Sequence, residues 1–251
     1  MEREKISFQL LIHDLKVPLA VIEAGITSLL GKLETYGPLT EKQEKVLRRT
    51  LRNTRVIQAL VNDSLELERS KEGVINVTRL SVSDLIEDAL VEIFDLVDYR
   101  TSEKIKLCTN LKQIEGALQE NGVTLTIDEG LWCQELPLDE AKTKQILRNL
   151  LNNALKYRKS RVELRVEQQQ GCFLLSVKDD GEGIPSTHHK KIFESYFQMD
   201  PTESYSVRGH GLGLAGVMVL VEYMGGELHL QSDQGKGAEF MVKLPLKATK
   251  P

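Results

Sequence analysis

Asn149, Asn153 and Lys156 stand at i, i+4 and i+7 in the run Asn149-Leu150-Leu151-Asn152-Asn153-Ala154-Leu155-Lys156-Tyr157, so a helix through them carries two amides and an ammonium on one face. An amide oxygen is a hard ligand of the kind magnesium takes together with substrate phosphates, and a lysine supplies a point charge for phosphate. Taken alone, the run is equally well an amphipathic helix with its polar side in water. Further on, Val177-Lys178-Asp179-Asp180-Gly181-Glu182-Gly183-Ile184-Pro185 is an apolar strand entering a DxGxG turn. A carboxylate at the strand end can accept from an exocyclic amine such as adenine N6, and the glycines let backbone approach a flat ligand. By itself this is also a plain Asp-Gly turn. Gly209-His210-Gly211-Leu212-Gly213-Leu214 opens the apolar stretch Ala215 to Met224. Free amides at the start of that helix make a phosphate seat. Lastly, His13-Asp14-Leu15-Lys16-Val17-Pro18-Leu19 places an imidazole beside a carboxylate and a proline. Neutral imidazole can act as a nucleophile. A solvated histidine next to a solvated aspartate is the plainer reading of that run in isolation.

Elements must position these groups. From Glu4 to about Leu33 apolar residues recur at three- and four-residue intervals, predicting one long helix that contains the His13 run and is bent locally by Pro18. Gly37-Pro38 breaks it, and Thr40 with Gln43 forms a capping-box signature for a second helix to about Arg69. A lone hairpin of two such helices cannot cover its apolar faces, so two copies are expected to pair as a four-helix bundle. Residues 1–72 are assigned to this hairpin, 73–82 to a linker ending in an edge strand, and 83–251 to a mixed α/β sandwich. In the latter, helices are expected over about 83–98 and 139–157. Strands are expected near 123–127, 161–168, 172–178, 227–230 and 238–244. Ile105 and Leu107 could make a strand competing with the one after Gly122, and the segment 100–120 is left open.

The 251 residues, 41% apolar and 28% charged, suffice for two ordinary folded domains. A formal net charge of −4 disfavours nucleic acid as a partner. No uninterrupted apolar stretch of about 18 residues or signal-like start occurs, so a cytoplasmic chain, or the cytoplasmic piece of a longer one, with no membrane contact of its own is expected. Cys108, Cys133 and Cys172 share no metal-ligand spacing and are expected to be reduced, buried small hydrophobes. Gly211, Gly213 and Gly216 satisfy GxGxxG, but the preceding 201–208 is polar, so the dinucleotide-binding context is missing.

With Ile192-Phe193-Glu194-Ser195-Tyr196-Phe197-Gln198 joining the last two, these motifs in this order closely resemble the catalytic core of sensor histidine kinases of two-component systems. The resemblance covers about residues 6–246. His13 to Leu19 match that family's H box, Asn149 to Tyr157 its N box, and Asp179 to Gly183 its G1 box. Phe193 to Phe197 match the F box and Gly209 to Gly213 the G2 box. The resemblance implies a dimeric helical-hairpin domain carrying the phosphoacceptor histidine, followed by a Bergerat-type (GHKL) ATP-binding sandwich.

On that resemblance His13 would be phosphorylated by ATP, with Asp14 holding the other ring nitrogen. Asn153 would bind magnesium with support from Asn149, and Lys156 would contact phosphate. Asp179 would select adenine in a pocket shaped by Gly181 and Gly183. The nucleotide would further meet Tyr157, Ile184, Phe197, Gly209, His210, Gly211, Leu212 and Gly213. Residues 186–208 would form a lid in which a metal site at His188 and His189 is disfavoured. The partners implied are a second copy of the chain and a response-regulator receiver domain whose aspartate takes the phosphoryl group. Two departures stand out: Val17 lies where many members carry Thr or Asn, implying weak phosphatase activity, and Arg158 lies where a small hydroxyl residue is common, at the mouth of the ATP pocket. The alternatives are a catalytically inactive nucleotide-sensing scaffold of the same fold, and an ATPase of the gyrase or chaperone kind that would not need His13.

Overall fold

The computed structural model describes residues 2–70, 75–194, 197 and 213–246, with the side chains of 2–13, 33, 55–56, 59–60 and 62–70 outside the description. The chain divides into two compact units, Met1–Arg69 and Ser70–Pro251.

The first unit is a helical hairpin. Helix α1 (Glu2–Gly31) runs helical through Pro18, the single-turn α2 (Leu33–Tyr36) follows, and α3 (Glu41–Ser70) returns. The expected capping box forms in full: Gln43 N–H donates to Thr40 Oγ1 at 3.3 Å while Thr40 N–H donates to Gln43 Oε1 at 2.9 Å. Leu19, Ile26 and Val61 are buried, and Gln58 reaches across to Glu23 at 3.0 Å. Leu15, Val17, Val21, Ile22, Val46 and Ile57 stay exposed. One hairpin thus leaves a large part of its apolar residues in water.

The second unit is a two-layer α/β sandwich. It contains β1 (Thr78–Ser81), α4 (Val82–Val97), α5 (Tyr99–Lys106), α6 (Leu111–Gln119), β2 (Val123–Ile127), α7 (Glu129–Trp132) and β3 (Glu135–Leu138). There follow α8 (Glu140–Tyr157), β4 (Val162–Gln169), β5 (Cys172–Asp179), α9 (Gly213–Tyr223), β6 (Glu227–Ser232) and β7 (Ala238–Pro245). The main sheet has the order β2-β4-β5-β7-β6, parallel between β2 and β4 and antiparallel elsewhere. Its strands alternate: Val162, Leu164 and Val166 of β4 and Phe173, Leu175 and Val177 of β5 are buried, while their neighbours face outward. The buried face packs against helices, with α8 in contact with both α4 and α9.

The edge strand expected at the end of the 73–82 stretch is β1, where Thr78–Ser81 pairs antiparallel with β3, and Asn76 N–H donates to the buried Asp139 at 2.8 Å. Other expectations need correction. The candidate strand at Ile105 and Leu107 is absent: α5 and α6 occupy the segment, started by Asp98, which accepts from Arg100 N–H, and by Asn110, which accepts from Gln113 N–H. Residues 105 and 107 would share one face of a strand but point about 200° apart in a helix, which matches 1% exposure for Ile105 against 81% for Leu107. The cysteines are not buried: Cys133 is exposed, and Cys108 and Cys172 are half-buried. Among the described residues, no helix is long and apolar enough to cross a membrane.

Candidate nucleotide-binding site

Helix α8 is fixed at its start by Asp139, whose carboxylate accepts from Lys142 N–H at 3.0 Å. Ile146, Leu147, Leu150, Leu151 and Ala154, the residues expected to anchor the helix, are all buried. Fully burying such aliphatic side chains contributes roughly 1.5–3 kcal/mol each, so the rotation of α8 is strongly determined. That rotation leaves Asn149, Asn153 and Lys156 half-buried on the remaining face. Asn149 Nδ2 donates to Gly213 O at 3.4 Å, and its side chain lies beside Gly216 as well, so the amide run meets the first turn of α9. Lys156 Nζ donates to Tyr157 Oη at 2.8 Å and sits 4.5 Å from the ring centroid. The ammonium is therefore held at the C-terminal end of α8 by its neighbour.

The period of β5 delivers the next group. Phe173, Leu175 and Val177 point into the core, and the same parity sends Asp179 inward at the strand's last position, with 7% exposure. Burial pushes its carboxyl above the ordinary range, against the amides of Gly181 and Ala238, which favour the ionised form. Oδ1 accepts from Gly181 N–H at 2.8 Å. Gly183 has φ +71° and packs on the carbonyl of Asp233, where a side chain has no room. Ile184 N–H donates to Ser232 Oγ at 2.8 Å, and Ser232 Oγ donates in turn to Gly237 O at 2.7 Å. His189 Nε2 donates to Ile184 O at 2.9 Å, tying the start of the expected lid to the turn.

Phe193 meets Phe240 edge-on at 6.4 Å, and Phe197 lies 5.6 Å from His188. Among the described residues, no group of three or more His, Cys, Asp or Glu side chains could hold a metal ion. Gly209, His210, Gly211 and Leu212 lie outside the described residues, as does the side chain of His13. Asp14 is exposed on α1.

Asn149 thus meets the start of α9, and the turn after Asp179 meets the last turn of α8, where Gly181 packs on the Tyr157 carbonyl. Sequence reading missed three contributors. Asp180 had no role, yet it accepts from the amides of Lys159, Ser160 and Arg161. The β6–β7 turn backs Gly183 and Ile184 through Ser232, Asp233 and Gly237. Asp139 ties the start of α8 to the entry of the domain. The available signals were the doubled aspartate and the pair Gly235 and Gly237. Arg158, which stands where the family often has a small hydroxyl residue, donates to Asn121 O at 2.7 Å.

Comparison with known proteins agrees with this arrangement. Residues 8–73 match the His Kinase A (phospho-acceptor) domain and residues 138–248 the histidine kinase-, DNA gyrase B- and HSP90-like ATPase domain. The chain is 29% identical over 237 residues to the circadian input-output histidine kinase CikA of Synechococcus elongatus, covering 93% of this chain and 29% of that one. It is 30% identical over 241 residues to the autoinducer 2 sensor kinase/phosphatase LuxQ of Vibrio cholerae, covering 93% of this chain and 25% of that one. The chain thus spans under a third of either relative. Full-length ShkA, solved in complex with AMPPNP, shares the fold with a TM-score of 0.65 at 24% identity, over 98% of this chain and 46% of that one. With both domains matched in this order, the chain belongs to the sensor histidine kinases.

Proposed function

We propose that this chain is the catalytic core of an ATP-dependent protein histidine kinase that phosphorylates itself on His13 and passes the phosphoryl group to an aspartate of a response-regulator receiver domain. Two observations together carry the reading: Asn149 of α8 meets Gly213 at the start of α9, and an acid, Asp179, is buried at the end of β5. That arrangement supplies a place for phosphates at a helix start and a place for an amine-bearing base.

In this reading Asp179 accepts from the adenine amine. Gly181 and Gly183 keep the backbone low enough for the flat ring. Lys156 leaves the Tyr157 hydroxyl to meet phosphate. Asn153, an amide on the half-buried face of α8, fits a magnesium ion that brings most of its ligands as water and nucleotide phosphate. Bound there, magnesium would neutralise charge on the transferring group. His13 attacks the γ-phosphorus in line, the bond to the β,γ-bridging oxygen breaks and ADP leaves, while Asp14 orients the ring and eases loss of its proton. The exposed apolar residues of the hairpin pair with those of a second copy, giving a homodimer.

Incubation with Mg-ATP tests the proposal: acid-labile, alkali-stable phosphate should appear on the chain and vanish in His13→Ala. Saturable nucleotide binding without phosphohistidine would instead mark a sensing scaffold.

A further inference from the structure

We infer that Asp180 is a positioning residue that sets the span between the base-reading and phosphate-facing ends of the nucleotide site. The inference rests on the proposed function and concerns a residue whose carboxylate is occupied by the amides of residues 159–161. Three consecutive residues of the turn face three ways: Asp179 is buried at the strand end, Asp180 reaches to the chain leaving α8, and Gly181 packs on the last turn of that helix.

The geometry is that of an anion held by consecutive amides. Asp180 Oδ1 accepts from Lys159 N–H at 2.8 Å, Ser160 N–H at 2.9 Å and Arg161 N–H at 2.9 Å. Oδ2 accepts from Ser160 Oγ at 2.7 Å and Ser160 N–H at 3.1 Å. Asp180 N–H donates to Arg161 O at 3.3 Å, closing the contact from the other side. The Ser160 hydroxyl, then the amides, hold the carboxyl far below the usual carboxylate range, so it stays ionised at any working pH. Residues 159–161 are the whole connection between the C-cap of α8 and β4. Lys156 and Asn153 sit in the final turns of α8, while Asp179 is covalently next to the clamp. A single side chain thus couples the residues that read the base to those that meet phosphate.

A ligand that engages both ends gains from having them at a fixed distance, and a ligand that engages one end does not. ATP and adenosine therefore separate positioning from mere folding. Binding of each is measured by calorimetric titration to the full chain, its Asp180→Ala and its Asp180→Asn variants. Asp180→Ala is expected to weaken ATP about tenfold or more while changing adenosine less than about threefold. Asp180→Asn, whose amide oxygen still accepts the three N–H groups, is expected to stay within about threefold of the parent for ATP. Unchanged ATP affinity in Asp180→Ala, or equal weakening of ATP and adenosine, overturns the inference. Failure of the parent chain to bind either ligand overturns the nucleotide reading itself, and the inference with it.

Discussion

The carbonyl oxygen of Tyr157 occupies the place where Gly181 would carry a β-carbon, so the last turn of α8 and the turn after β5 touch backbone to backbone. Neither partner can yield cheaply, since one is a helix terminus and the other directly follows the anchored Asp179 and Asp180. Gly181→Ala should destabilise the chain by about 1–3 kcal/mol, the usual cost of overpacking. It should also weaken ATP more than it lowers the melting temperature would imply. Denaturant unfolding and nucleotide titration of the variant check both; a fully stable variant with parental ATP affinity contradicts the close approach.

Asp179 makes stability depend on pH. Its carboxyl is pushed up by burial, so the native chain keeps a proton that the unfolded chain releases near the ordinary value of about 3.9. Between that value and its raised one, the native state binds more protons and stability falls as pH rises. Asp179→Asn removes this loss. Nucleotide-free melting curves should show the variant's advantage growing from nothing at the acid end to a plateau once the native carboxyl is fully ionised. A gap independent of pH contradicts the assignment.

Arg158 serves the scaffold. Its bond to Asn121 O joins the C-cap of α8 to the segment before β2, and Asn121 Nδ2 continues the chain of bonds to Thr101 Oγ1 at 2.6 Å. Arg158→Ser should cost about 1–3 kcal/mol for the lost charge-assisted bond while ATP affinity stays within about threefold. A large loss of ATP affinity with unchanged stability would return Arg158 to the pocket.

Periodic elements were legible because burial enforces their period. The face of α8, the parity of β5 and the Thr40–Gln43 box were each readable from residue spacing alone, and each is set by packing or a cap within a few residues. The segment 100–120 was not, because α5 and α6 are two turns or so each and the Ile105–Leu107 spacing mimics a strand. The caps Asp98 and Asn110 were the available signal. The four-residue α7 and β3 are too short to show any period. In the site, residue types announced Asn149, Asn153, Lys156 and Asp179. Asp180 escaped notice because its partners are backbone amides, which sequence does not label.

The hairpin's uncovered apolar residues predict self-association. Val17 and Val21 on α1 are 58% and 66% exposed. Val21→Asp should shift the chain from dimer to monomer in sedimentation at micromolar concentration, because a charge at a paired apolar face stays unpaired and desolvated. A parent chain that sediments as a monomer contradicts the bundle.

The central claim is a bond between phosphorus and an imidazole nitrogen at position 13. Mass mapping of the full chain after incubation with Mg-ATP, under alkaline conditions that preserve phosphohistidine, tests it most directly. The added phosphoryl group is expected on the peptide containing His13, and its loss in His13→Ala. A phosphoryl group on another residue, or none on a chain saturated with ATP, contradicts it.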